Sequence, residues 1–292
     1  MKLYNHLNSP VWSEKNQAKK LVNGAKRYSE VITKYYFPVF QEVLKDDPNT
    51  AVITVTTENI PQTFKEYKRI FLFLHECRYR QQPTIARCRN FVEANRQAEV
   101  WFIVWEQDTA KVISERGMNA IYLPMAIDLD EINAFKTNTP KLDKIIWFGN
   151  IRQAKKPFFK YFMEQCTRHG IRMDYISNST FNGTYPLNRQ QILATLQNYK
   201  YGVGVGICAH EMSALGLKVF IYSYNWYCNC AYNKEQGQEL ISKNLCSPET
   251  AHITVPDALR SRELMTVIDP VDIKDNAKLL KRILTEKFST SS

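Results

Sequence analysis

Cations placed just beyond an apolar run are the first sign of chemistry in this chain. In the stretch DKIIWFGNIRQAKKPFF, residues 143–159, the apolar run 144–148 stops at Gly149-Asn150. Arg152, Lys155 and Lys156 follow, and then Pro157 opens a helical pattern. A buried strand that ends in a tight turn, several cations and a helix N-terminus attracts a polyanion, phosphate above all. Arg152 is the first choice for the contact, because a guanidinium presents a planar fork of donors. Of Lys155 and Lys156, only one need point inward. A solvated basic edge is the bland reading of the same residues.

Three further constellations carry candidate groups. Gly202, Gly204 and Gly206 fall at period two, which leaves one strand face bare and lets something approach the backbone closely. His210 and Glu211 come next, near the start of a short helix; the bland role of Glu211 is to pair with the helix dipole. Glu106, Asp108 and His75 stand at the C-terminal ends of apolar runs, where open α/β sheets put their ligands, and each is a candidate general base. Arg78, Arg80, Arg87 and Arg89 follow His75 and suit an anionic acceptor, with Glu76 and Glu93 as ordinary pairing partners. Tyr224, Trp226 and Tyr227, in the loop YSYNWYCNCAYN, could stack on a sugar or a base, although core packing explains many such aromatics.

These groups need strands and helices to hold them, and the pattern supplies both in alternation. A helical stretch over 13–44, capped by Ser13, should kink or divide at Pro38. Short β-branched or apolar runs predict strands at 2–7, 51–57, 69–74, 99–105 and 120–123. A second set follows at 144–148, 172–177, 201–207, 218–223 and about 264–268. Helices are predicted over 61–67, 84–96, 110–116, 157–169, 188–198, 209–216, 235–243 and 275–287. Residues 130–141 read as a linker. Alternation of this kind implies mostly parallel sheets, here two in series: an acceptor-side domain over 1–135 and a second over 136–292. The C-terminal helix is free to cross back to the first domain.

Bulk properties narrow the class. The 292 residues are 44% hydrophobic and 23% charged, ordinary for a globular protein, and carry a net charge of +10. That charge suits nucleic acid, an anionic membrane face or a phosphorylated substrate without choosing among them. The seven cysteines are scattered and odd in number, so free thiols in a reducing cytoplasm are expected; Cys228-Asn229-Cys230 alone does not define a zinc site. No apolar run approaches the ~20 residues that span a bilayer, and the first residues lack a signal-peptide core.

The segment Glu211-Met212-Ser213-Ala214-Leu215-Gly216, followed by an apolar run, resembles the nucleotide-sugar site of GT-B glycosyltransferases. The Arg152 and Lys155/Lys156 group ahead of it is similar to the diphosphate site of that class, and KVISERGMNAIYLPMAID, 111–128, to the segment that closes its N-terminal domain. The resemblance implies two Rossmann-like domains facing a cleft. It implies Glu211 on the donor ribose and Gly149, Arg152, Lys155, Lys156 and His210 around the diphosphate. It further implies no metal and no tightly bound cofactor, with a nucleoside diphosphate sugar, UDP-linked by preference, as co-substrate. Where the common pattern has two glutamates separated by seven residues, the first meeting the sugar, this chain has Val203 at the first position. The strand order and motif placement around 69–109 and 143–223 also resemble T-even phage DNA glucosyltransferases, which favours Glu106 or Asp108 as the base. DNA bearing a hydroxymethylated pyrimidine is then the expected acceptor, met by Arg78, Arg80, Tyr224 and Trp226, in the cytoplasm of a phage-infected host. Two rivals stand beside it: transfer to a cell-surface or lipid-linked glycan at a membrane face, and a non-catalytic nucleotide- or DNA-binding protein on the same scaffold. No obligate protein partner is expected.

Overall fold

A computed structural model describes residues 1–5, 30–55, 60, 64–74, 81–151, 155–222, 226–245 and 253–288. The chain is mixed α/β and divides into two compact units. One comprises Met1–Pro124 with Asp272–Ser292, the other Met125–Val271. The sequence pattern predicts a boundary at 135/136. Contacts instead put 125–135 with the second unit and bring the C-terminal helix back to the first.

The first unit holds a five-stranded parallel sheet. Its strands are β1 (Lys2–Asn5), β2 (Thr50–Val55), β3 (Arg69–Leu74), β4 (Glu99–Val104) and β5 (Asn119–Tyr122), in that spatial order. The apolar runs are buried on both faces, as parallel strands require. Against one face pack α2 (Gln81–Ala94) and α3 (Gln107–Glu115), which bring Ile85, Cys88, Phe91 and Ile113 onto Ile70, Leu72, Phe102 and Val104. Against the other face lies the helix before β2. Its described part, 30–43, is continuous helix: α-helical at 30–31, π-helical over Ile32–Tyr36, and α-helical again as α1 (Phe37–Val43), with Pro38 as the second residue of α1. Helix type changes just before Pro38, and the helix expected to kink or divide there runs on undivided through 30–43. Tyr36 stacks on Phe73, and Phe40 packs against Phe71. Full burial of each such ring contributes about 1.5–3 kcal/mol.

The second unit begins with a two-residue strand, β6 (Ala126–Ile127), and is built on an eight-stranded sheet. Four parallel strands form the centre of that sheet: β7 (Leu142–Phe148), β8 (Met173–Ser177), β11 (Tyr199–Gly204) and β12 (Lys218–Tyr222). Antiparallel β9 (Thr180–Phe181) and β10 (Tyr185–Pro186) extend one edge; β13 (Tyr227–Asn229) and β14 (Ile253–Thr254) extend the other. β7 pairs with both β8 and β11, so the chain steps from β7 to β8 one way and returns to build β11 on the other side. Strand order reverses there. The first sheet, among the described strands, has no reversal.

The helices of the second unit are α4 (Leu129–Asn133), α5 (Lys156–Arg168), α6 (Arg189–Leu196), α7 (Ile207–Ala214), α8 (Lys234–Ser242) and α9 (Val255–Arg260). The face of Ile145, Trp147, Val203 and Phe220 packs on α5 and α9. Gly202 and Gly204 turn to the opposite face, where Met212 of α7 lies against them.

Several predicted elements change. The supposed linker opens with α4, capped by Asp128, whose carboxylate accepts from Glu131 N at 3.2 Å. The strand predicted at 264–268 does not form. Met265 and Ile268 are buried, yet this stretch makes only isolated bonds such as Thr266 N to Ala231 O, 2.7 Å, so burial there needs no ladder. β11 ends at Gly204, short of the predicted 207, because Gly206 (φ +57) turns the chain into α7. In place of a helix over 61–67, the described residues 64–67 form a turn.

Candidate ligand site at the strand-order reversal

β7 leaves the sheet through Gly149, whose φ of +143° suits glycine. A Cβ there would meet only Cys208 Sγ at 3.9 Å, so the backbone angle, rather than space, requires the glycine. The turn is fixed from three sides. Trp147 Nε1 donates to Gly149 O at 3.1 Å, Ile151 N to Ser177 Oγ at 3.0 Å, and Asn178 N to Asn150 Oδ1 at 3.3 Å. Lys155 then takes the N-cap position of α5. It is half-buried, with Nζ 5.6 Å from the Tyr222 ring centroid, whereas Lys156 is exposed. Of the two lysines, Lys155 is the one turned toward the sheet end. Arg152 lies outside the described residues.

On the other side of the reversal, β11 passes through Gly206 into α7. Gly206 N donates to Leu245 O at 3.1 Å, and Gly206 O accepts from Ala209 N and His210 N. The period-two glycines do admit a close neighbour, but it is the chain itself. A Cβ on Gly204 would stand 2.6 Å from Met212 Cε and 3.1 Å from Phe148 O, and one on Gly202 would collide with Met212. These glycines seat α7 on the sheet.

α7 puts His210 and Glu211 in the interior. His210 is fully buried, and neither ring nitrogen has a hydrogen-bond partner among the described residues. Loss of hydration pulls its pKa down to about 3, so the imidazole is neutral. Glu211 is 2% exposed, and its Oε1 lies 3.0 Å from Arg189 Nη2. Arg189 also donates to Glu131 of α4, from Nε at 3.0 Å and from Nη2 at 3.1 Å. One guanidinium thus joins α4, α6 and α7. Sequence reasoning misses Arg189. The available signal is its place at the start of a helix announced by Asn188 and Gln191, which form a capping box.

The remaining candidates lie elsewhere. In the first unit, Glu106 is 1% exposed at the N-cap of α3, where it accepts from Thr109 Oγ1 at 2.8 Å. Asp108 is exposed in the first turn of the same helix. Trp226, in the second unit, is 46% exposed at φ +69. His75, Arg78, Arg80 and Tyr224 lie outside the described residues. Among the described residues, no cluster of three or more His, Cys, Asp or Glu could hold a metal ion, and no helix is long and apolar enough to cross a membrane. No protein-family model matches the chain, and no curated protein matches it either.

Proposed function

We propose that the protein is a nucleotide-sugar-dependent glycosyltransferase of the GT-B type, with two Rossmann-like domains, the second of which grips the donor diphosphate. The observation that carries this reading is the reversal of strand order at β7. There the Gly149 turn, half-buried Lys155 and the start of α5 occur at one sheet end. Open α/β sheets bind ligands at such reversals, and helix N-termini favour phosphate. Expulsion of a nucleoside diphosphate from the anomeric carbon builds negative charge on the leaving group, and fixed cations lower that barrier. Arg152 and Lys155 take this role, and Lys156 adds to the field from the surface. Glu106 accepts the acceptor's proton, with Asp108 and His75 as the alternative bases. The acceptor in this reading is hydroxymethylated DNA, supported by the net charge of +10 and by Arg78 and Arg80.

Titration calorimetry with UDP and GDP tests the donor site, and lack of binding by either removes the reading. Mass spectrometry of hydroxymethylated DNA incubated with the protein and a panel of nucleotide sugars tests the reaction. A glycan panel tests the rival acceptor class.

A second reading is a nucleotide-binding protein without transferase activity. It is favoured by two burials: Val203 is 0% exposed where a sugar-contacting glutamate is absent, and Glu211 is held by Arg189. Tight nucleotide binding with neither transfer nor hydrolysis of the sugar donor selects it.

A further inference from the structure

Four aromatic rings pack together in the second unit, with Trp147, Tyr222 and Phe158 as a mutually contacting trio in which Trp147 and Phe158 are 6.4 Å apart at 44°. Trp147 stacks on Tyr222 with centroids 4.7 Å apart and planes at 20°. Tyr222 stacks on Phe158 at 5.4 Å and 27°, and Phe158 meets Trp226 at 6.4 Å and 32°. The inner three are buried, and Trp226, at the outer end, is exposed. Tyr161 braces it edge-on at 5.2 Å and 81°. A lone exposed tryptophan says little. This one is held in a left-handed backbone conformation that bulky residues rarely adopt, and packing on Phe158 and Tyr161 keeps it there.

This cluster is tied to the turn described above. Its Trp147 bonds Gly149 O, and Lys155 Nζ lies over Tyr222, which stacks on the same Phe158 that carries Trp226. A solvent-facing indole and an ammonium are therefore fixed on one rigid support. A planar heterocycle joined to a phosphate by a ribose has that chemistry: a π-face at one end and negative charge at the other. Lys156 and Lys160 do not extend the line. Helical spacing puts them together on one flank of α5, and Phe158 with Tyr161, which carry Trp226, toward another. Among the described residues, one cation beside one exposed ring fits a single nucleotide better than a strand of several phosphates.

We propose that Trp226 is the stacking platform for the nucleobase of a nucleoside diphosphate whose phosphates are drawn by Lys155, rather than an acceptor contact. The proposal rests on the nucleotide-sugar reading and assigns a residue to its base. The test is calorimetry on the full chain with UDP, GDP and inorganic pyrophosphate, for wild type, Trp226→Ala, Trp226→Phe and Lys155→Ala. Loss of one base–aromatic stack should weaken nucleoside diphosphate binding by about 10–100-fold in Trp226→Ala. Pyrophosphate affinity should stay unchanged and Trp226→Phe should retain most of the binding. Lys155→Ala should weaken both ligands. Wild-type affinity for the nucleotides in Trp226→Ala, or an equal loss for pyrophosphate, overturns the platform and leaves the parent reading intact. Failure of wild type to bind any nucleoside diphosphate overturns both.

Discussion

A carboxylate buried as deeply as Glu211 has to be held against positive charge, and Arg189 supplies it at 3.0 Å. Replacing Glu211 by Gln removes its charge and leaves Arg189 an amide oxygen in place of the carboxylate. Because Arg189 is partly exposed, the expected loss is about 1–3 kcal/mol, below that of a fully buried pair. Urea unfolding measures it, and an unchanged midpoint would show that the pair is not structural. His210 gives a pH signature. Its folded pKa, about 3, lies below the unfolded value, so the unfolded chain binds the extra proton between pH 6.5 and 3. Stability should therefore fall with falling pH across that window, and His210→Leu should flatten the slope. At Gly204, an added methyl meets Met212 Cε at 2.6 Å and the Phe148 carbonyl at 3.1 Å. Gly204→Ala is expected to cost about 1–3 kcal/mol. Trimming the thioether with Met212→Ala should recover only part of it, since the carbonyl belongs to the backbone.

At the scale of elements, α7 is held at both ends by chemistry from elsewhere in its unit. Gly206 opens it, and Lys141 closes it: Nζ donates to Leu215 O at 2.5 Å, where the helix dipole favours a cation. Burial, with Lys136 nearby, lowers the Lys141 pKa to about 8. Here too the unfolded chain holds the proton longer, now between pH 8 and 10.5, so stability should rise with pH across that interval. Lys141→Met should abolish the rise; a slope that survives the substitution would assign it to another group. In the first unit the corresponding support is α10 (Ile273–Phe288). Its Asn276 donates to Tyr36 Oη at 2.9 Å and to Pro124 O at 2.5 Å, and Phe288 packs edge-on against Phe71 and Trp101. The periodicity of 275–287 announces the helix, but nothing local announces which sheet it covers.

For the whole molecule, the division into units predicts how fragments of the chain behave. Residues 125–271 are contiguous and should fold as an isolated fragment with native far-ultraviolet circular dichroism. Residues 1–124 lack α10 and should unfold or aggregate unless 272–292 is appended. A cooperative, soluble 1–124 fragment would contradict this.

Sequence alone determined the strands that bury both faces. The runs 70–74 and 100–104 are so uniformly apolar or β-branched that water exclusion leaves them one state, and their alternation with helical periodicity set the α/β class. It also located the turn at Gly149, since a glycine closing such a run is a local signal. Tertiary structure decided the rest. The two-residue strands β9, β10 and β14 carry too few side chains to show a period. The reversal of strand order depends on which side of β7 the chain returns to, a choice made by packing of α5 on one face and α7 on the other. The fates of Glu211 and Trp226 were equally non-local: Arg189 buries the first and Phe158 with Tyr161 holds out the second, and these partners meet only when the sheet has formed.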